Sequence, residues 1–284
     1  MTGLDRQQLM RWIGREETAA DTIAAWPAVA LARTLDLDAI PADPQTLPPA
    51  WHWLYFLPTV QASELGYDGH ARLGGFLPPI ALPRRMWAGG RLRFEQLLRI
   101  GEPATRNSRI ADIAFKTGRG GPLAFVLVRH EITGDQGAHI VEEHDIVYRA
   151  APAGEAAPTT AQPAPAVAQW SRALQPDPVL LFRYSALTFN GHRIHYDRDF
   201  CSREGYPGLV VHGPLIATLL LDLARRQLPD CRVRAFAFKA VRPLFDVDLL
   251  RLEGRLDAQR ATLWALNHRG ELAMSASAEL QPAT

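Results

Sequence analysis

Residues 150–169 divide this chain and limit what it can fold into. Ala, Pro and Thr dominate the run AAPAGEAAPTTAQPAPAVAQ, while charged and aromatic side chains almost vanish. Such a stretch has no apolar periodicity with which to enter a core, so it reads as a linker. It leaves 1–149 and 170–284 as two units. Each unit shows one order of elements, a helical segment followed by strands, although no sequence repeat is visible.

In the first unit helical spacing runs from Glu16 to Asp36, interrupted by Pro27. Strand-like segments follow at Arg109–Lys116, Leu123–Ile132 and His139–Tyr148, with turn-rich residues 117–122 between the first two. The second unit has an apolar helix, Pro214–Leu228, bounded by Gly213 and Pro229. Four strands are expected after it: Arg232–Val241, Asp248–Leu256, Arg260–Asn267 and Glu271–Leu280. Alternation places Val233, Ala235 and Ala237 opposite Arg234, Phe236 and Phe238, so one sheet face must cover the helix. A long apolar helix wrapped by an antiparallel sheet is the hot-dog arrangement. The expected class is α+β, a double hot dog, with a plain two-layer sandwich as the alternative.

Composition excludes several partners. Lys+Arg 31 against Asp+Glu 30 gives a formal charge of +1, so no global field gathers nucleic acid or an anionic membrane. The longest apolar run, around Leu215–Leu221, is far short of a bilayer span. The first 17 residues mix acids and bases without an apolar core, and Cys201 and Cys231 have no metal-type spacing. The expectation is a soluble, cytoplasmic protein with reduced thiols.

Chemistry concentrates in Asp177–Leu221. Asp177-Pro178 is a helix start, and Leu180, Leu181, Tyr184 and Leu187 repeat at helical spacing up to Phe189-Asn190-Gly191. Asn190 can be a helix C-cap. His192, His195 and His212 then crowd a short stretch. They read as a metal site with Asp197, as hydrogen-bonded structural residues, or as acid–base groups able to take a proton from water and return it. Gly213 opens the next helix, where an amide at the positive end can polarise a carbonyl.

The run YSALTFNGHRIHYD, Tyr184–Asp197, with His212-Gly213 after it, resembles the hydratase motif of the MaoC-like (R)-enoyl-CoA hydratases. That motif is an acidic residue, four others and a histidine, then His-Gly. The segment GGFLPPIALPRRMWAGGRLRF, Gly74–Phe94, is similar to the first half of the type 2 hydroxyacyl-thioester dehydratases and of bacterial mesaconyl-C4-CoA or itaconyl-CoA hydratases. The resemblance implies reversible addition of water across the C2–C3 double bond of an acyl-CoA thioester, with no cofactor and no metal. It implies Asn190 and His195 as the water-holding pair and the Gly213 amide as oxyanion donor. Asn190 stands where the usual motif has aspartate and cannot accept a proton, which leaves that task to His195. His212, Arg84, Arg85, Trp87 and Arg193 are candidate substrate contacts. The first unit is expected to shape the acyl pocket rather than to form a second active site. Proline and glycine around Arg84 and Gly89-Gly90 could alternatively form only a turn edge.

Substrate class divides two ways. Short C5 dicarboxylic CoA esters giving citramalyl-CoA, as in itaconate degradation, need a pocket cation, for which Arg183, Arg193 and Arg242 are available. Straight-chain 3-hydroxyacyl thioesters need an apolar tunnel. The bacterial likeness favours the first. A thioesterase and a thioester-binding module without catalysis are the alternatives, and a homodimer is expected from the way hot-dog sheets pair at their edges.

Overall fold

In the computed structural model, which describes residues 5–40, 46–118, 121–150 and 161–282, ten strands form one antiparallel sheet. In chain order the elements are α1 (Arg6–Met10), β1 (Glu16–Thr22), α2 (Ala25–Thr34), β2 (Arg84–Gln96), β3 (Pro103–Gly118), β4 (Gly121–Gly134) and β5 (His139–Arg149). Then come β6 (Trp170–Leu174), α3 (Pro178–Leu187), α4 (Arg198–Arg203), α5 (Gly213–Gln227), β7 (Cys231–Ala240), β8 (Leu250–Asp257), β9 (Arg260–Leu266) and β10 (Leu272–Pro282). The sheet order β1-β3-β4-β5-β2-β7-β10-β9-β8-β6 reads alike from both edges, each half giving an edge strand, a three-strand meander and a strand that meets its counterpart at the seam.

That seam explains Gly89 and Gly90. Gly89 pairs with Lys239 and Gly90 with Phe238. A Cβ on Gly90 would lie 2.9 Å from the Phe238 ring, and one on Gly89 2.7 Å from the Phe238 carbonyl oxygen. The pair is therefore no turn edge: it lets two strands close over a buried phenylalanine.

Helix α5 is the centre of the second half. It runs against β7–β10, and Leu215 to Ala224 are all buried. A fully buried leucine contributes about 1.5–3 kcal/mol relative to an exposed one, so this helix carries much of the core. Asp222, buried on α5, is held by Arg172 of β6 and by Arg225 and Arg226 one turn on.

The first half differs from expectation. Glu16–Thr22 is a strand, not a helix, because β3 offers a free edge there: Glu16 pairs with Arg109 and Thr22 with Pro103. Only Ala25–Thr34 is helical, and Pro27 falls in its first turn, where an amide hydrogen has no acceptor within the helix. No long helix lies in the concavity of this half among the described residues. A single 3-10 turn, Trp51–Leu54, continues into Tyr55 and Phe56 and shares one core with Leu92, Phe94, Ile132 and Ile140.

Residues 151–160 of the expected linker lie outside the described residues. Residues 161–169 run along the second half: the Leu272 amide donates to the Gln162 carbonyl, and Ala164, Ala166 and Ala168 pack on Trp264, Leu266 and Leu272. Among the described residues no helix is long and apolar enough to cross a membrane, and Cys201 and Cys231 are both free.

Candidate functional site

Helix α3 positions the chemistry. The Asp177 carboxylate accepts from the Leu180 amide at 2.8 Å and Pro178 takes the first helical position. At the other end Phe189, with φ +48°, is the left-handed residue, and the Asn190 amide donates back to the Ser185 carbonyl at 2.9 Å. This is a Schellman closure in which Asn190 follows the left-handed position instead of occupying it. Its Oδ1 accepts from the His192 amide at 3.0 Å, so the other end of the amide remains as a donor.

The chain then forms a 3-10 turn, Arg193–His195. His195 is 7% exposed, and its Nδ1 donates to the Val210 carbonyl at 2.7 Å. A carbonyl only accepts, so Nδ1 carries the hydrogen and Nε2 keeps a lone pair. His212 stacks on His195 with ring centroids 3.6 Å apart at 17°, and its Nε2 meets the Ser185 hydroxyl at 2.8 Å. Burial pushes the His195 imidazole down to about 3, against the opposing Val210 hydrogen bond. Burial likewise lowers His192, to about 3, and His212 well below the ordinary range. The cluster is neutral around pH 7. Helix α5 begins beside it with His212 at its N-cap and no side-chain cap, leaving the Gly213 amide unsatisfied by the helix.

The first half reaches into this cluster with a segment that sequence reasoning missed. Gly69, at φ +88°, lies so close to Gly191 that a Cβ would stand 1.9 Å from the Gly191 carbonyl oxygen. The Arg193 amide donates to the Asp68 carbonyl at 2.9 Å, and its guanidinium to the Tyr67 carbonyl at 3.2 Å. His70 thereby comes within 4.0 Å of His192, centroid to centroid, and His192 within 5.5 Å of His195. Asp68 accepts from His70 Nδ1 at 2.9 Å. Burial opposes ionisation of Asp68, but the His70 hydrogen bond and charge hold its carboxyl well below the usual range. Burial lowers His70, outweighing Asp68.

Asn190, Gly191, His70, Tyr184, Ser185 and Pro214 line a cavity of about 740 Å³ that also takes walls from the first half, including Trp53, Tyr55, Phe56 and Trp87. Its first-half floor is polar. Arg106, His130, Glu142 and His144 line it, on strands whose other inward positions are apolar except for Ser108, which bonds His130. Glu142, 2% exposed, accepts from Trp53 Nε1 at 2.8 Å and bonds His52 at 2.8 Å and also His144. Burial disfavours its charge, yet His144 and His52 keep the carboxyl well below its ordinary value. The Trp87 indole lies 3.9 Å from the His144 ring.

The other expected contacts are distributed unevenly. The charge of Arg85 is felt by His70 and His192. Arg84 turns away to Glu204, at 3.2 Å, and over the Tyr206 ring. Arg193 is spent on Asp197 at 2.6 Å, Arg183 is exposed, and Arg242 pairs with Glu271; none of these three lines the cavity. His192, His195 and Asp197 do not gather as metal ligands. Asp68, His70 and His192 bring one ligand atom each within 4.8 Å, but Asp68 and His70 Nδ1 are already hydrogen-bonded to each other.

Residues 50–246 match the family model of hydroxyacyl-thioester dehydratase type 2. The chain belongs to that family. It is 50% identical over 273 residues, 95% of this chain and 97% of the other, to the mesaconyl-C(4)-CoA hydratase of Chloroflexus aurantiacus. Among solved structures, a MaoC-like dehydratase from Phytophthora capsici superposes with TM-score 0.72 at 11% identity, covering 98% of both chains. A Mycobacterium tuberculosis protein with a double hotdog fold follows at TM-score 0.56 and 15% identity, covering 95% of this chain and 96% of that one. The fold is the double hot dog.

Proposed function

We propose that this protein is a hydro-lyase that adds water reversibly across the C2–C3 double bond of an enoyl-CoA thioester, with a C5 dicarboxylic ester of the mesaconyl-C4-CoA type as substrate and citramalyl-CoA as product. The observation that carries this reading is half identity, across nearly the whole chain, to a mesaconyl-C(4)-CoA hydratase. The geometry supports it. A neutral imidazole with a free Nε2, an amide donor at Asn190 and an uncapped helix N-terminus converge beside a cavity shared by both halves.

In this reading the thioester carbonyl oxygen sits at the Gly213 amide, where a fixed dipole meets the charge of the forming enolate. Water bonds to C3 while His195 Nε2 takes one of its protons. The π pair moves toward C2, which gains a proton as the enolate collapses, and dehydration runs the same steps backward. The substrate's free carboxylate needs a cation; the candidates are Arg85, whose charge lowers His70 and His192, and Arg106, which lines the cavity. Two finer readings go with this one: the protein works in the cytoplasm, where its free thiols stay reduced, and it does so as a homodimer.

The test is a panel of enoyl-CoA esters followed by loss of conjugated-thioester absorbance. Rapid hydration of mesaconyl-C4-CoA without thiol release is the expected result. Release of free CoA with the double bond intact would make the protein a thioesterase, and no turnover of any ester would leave only binding.

A further inference from the structure

We propose that the first half supplies a catalytic group to the hydration: His70, backed by Asp68, accepts the second hydrogen of the attacking water through Nε2. This deepens the hydration reading above and depends on it.

The attacking water sets the requirement. It must approach C3 with its oxygen lone pair forward, and it has two hydrogens to place. One goes to His195 Nε2. Asn190 has only one lone pair of Oδ1 left to offer, because that oxygen already accepts from the His192 amide and the nitrogen only donates, and the side chain takes up no proton. A carboxylate at position 190 would have had an oxygen to spare. Near that position the described residue that lines the cavity and has a carboxylate behind it is His70.

Its orientation is fixed. Asp68 Oδ2 accepts from His70 Nδ1 at 2.9 Å and Oδ1 accepts from the His70 amide at 3.1 Å, so the carboxylate grips both ring and backbone. A carboxylate that accepts at Nδ1 leaves Nε2 as the lone-pair nitrogen. The loop is pinned in turn by the Gly66 amide on the His70 carbonyl at 2.7 Å, by Arg193 on Asp68 and by the Gly69–Gly191 approach. Glycine is required at 69 for this, since any Cβ would collide with the backbone that carries Asn190. Burial keeps His70 neutral at pH 7, as an acceptor must be.

The balance is simple. The water oxygen bonds to C3, one O–H bond breaks, and that proton passes to His195 and then to C2. The remaining hydrogen stays on oxygen as the product hydroxyl, held by His70 Nε2. In dehydration His70 orients the leaving hydroxyl. His70 is thus a catalytic residue and Asp68 a positioning residue.

The experiment is a kinetic comparison of His70→Phe, which keeps a ring but removes the acceptor, with Asp68→Asn, which keeps the imidazole. For mesaconyl-C4-CoA, kcat falls roughly 10- to 100-fold in His70→Phe, with KM within about twofold, and less in Asp68→Asn. Adding Asn190→Asp to His70→Phe returns a carboxylate to the water and recovers most of the loss. Thermal melting confirms that each variant folds, and Asp68→Asn alone decides the matter if His70→Phe does not. A kcat within about twofold of wild type in the folded variants, or no recovery on adding Asn190→Asp, overturns the proposal. If wild-type protein hydrates no enoyl ester, the hydration reading itself fails, and this inference with it.

Discussion

The two halves of the sheet are built alike and filled differently. Under β7–β10 a fifteen-residue helix, α5, buries an unbroken run from Leu215 to Ala224. Under β2–β5 the core takes Ala28, Leu31 and Ala32 of the shorter α2 and the 3-10 turn Trp51–Leu54, beside an open cavity and an inner face carrying Arg106, His130, Glu142 and His144. The difference shows that one sheet architecture can serve two tasks, packing a core helix in one half and leaving open space in the other. One half packs a long helix whose N-terminus lies beside the stacked His195 and His212 rings. The other has no helix of that length among the described residues, and a cavity of about 740 Å³ takes part of the space.

Four outcomes would sharpen or break this comparison. The largest is kinetic: His195→Ala lowers kcat for hydration by about 100- to 10,000-fold while the melting temperature holds, and near-normal turnover in the folded variant removes His195 from the mechanism. Next comes core stability. Leu220, fully buried on α5, loses about 2–5 kcal/mol on truncation to alanine, read by denaturant unfolding, and a cost below ~1 kcal/mol would mean that α5 is not the central support. The first half answers to a polar change instead. Glu142→Gln leaves His52 and His144 without their anion and costs about 1–3 kcal/mol, whereas an unchanged unfolding midpoint would show the polar floor to be energetically idle.

The smallest effect, per group and per pH unit, concerns pH. His70, His130, His192, His195 and His212 all titrate lower in the folded protein than in the unfolded chain, chiefly through burial. Below pH 6.5 the unfolded state therefore binds protons that the native state refuses. Stability is full above pH 6.5 and declines as pH falls toward about 3, by at most ~1.4 kcal/mol per pH unit for each imidazole. Unfolding curves that coincide at pH 7 and pH 5 would contradict this.

Much of the second half was legible in its residues. The period of Pro214–Leu228 and the alternation of the strands after it give elements within a residue or two of those observed, because there propensity, pattern and burial agree. The first half resisted for physical reasons. Glu16–Thr22 has helix-compatible residues and becomes a strand only because β3 leaves an edge open. The glycines of β2 look like a turn until Phe238 is placed against them. Glu142 was visible in principle: Ile140, Glu142, His144, Ile146 and Tyr148 alternate as one face of a strand, and a carboxylate on an apolar face signals a built site. Asp68 and His70 had no such signal. They lie in irregular chain, and the close approach of Gly69 to Gly191 and the hydrogen bonds from Arg193 to Asp68 and Tyr67 carry them to the Asn190–His195 segment.

On the proposed mechanism the acyl group reacts where the two halves meet. A crystal structure of His195→Ala soaked with mesaconyl-C4-CoA tests this most directly, since the variant holds its substrate without converting it. The account predicts the thioester oxygen on the Gly213 amide, C3 beside Asn190 and His70, and the acyl group inside the cavity walled by Trp53 and Trp87. An acyl group lying anywhere outside that cavity would contradict it.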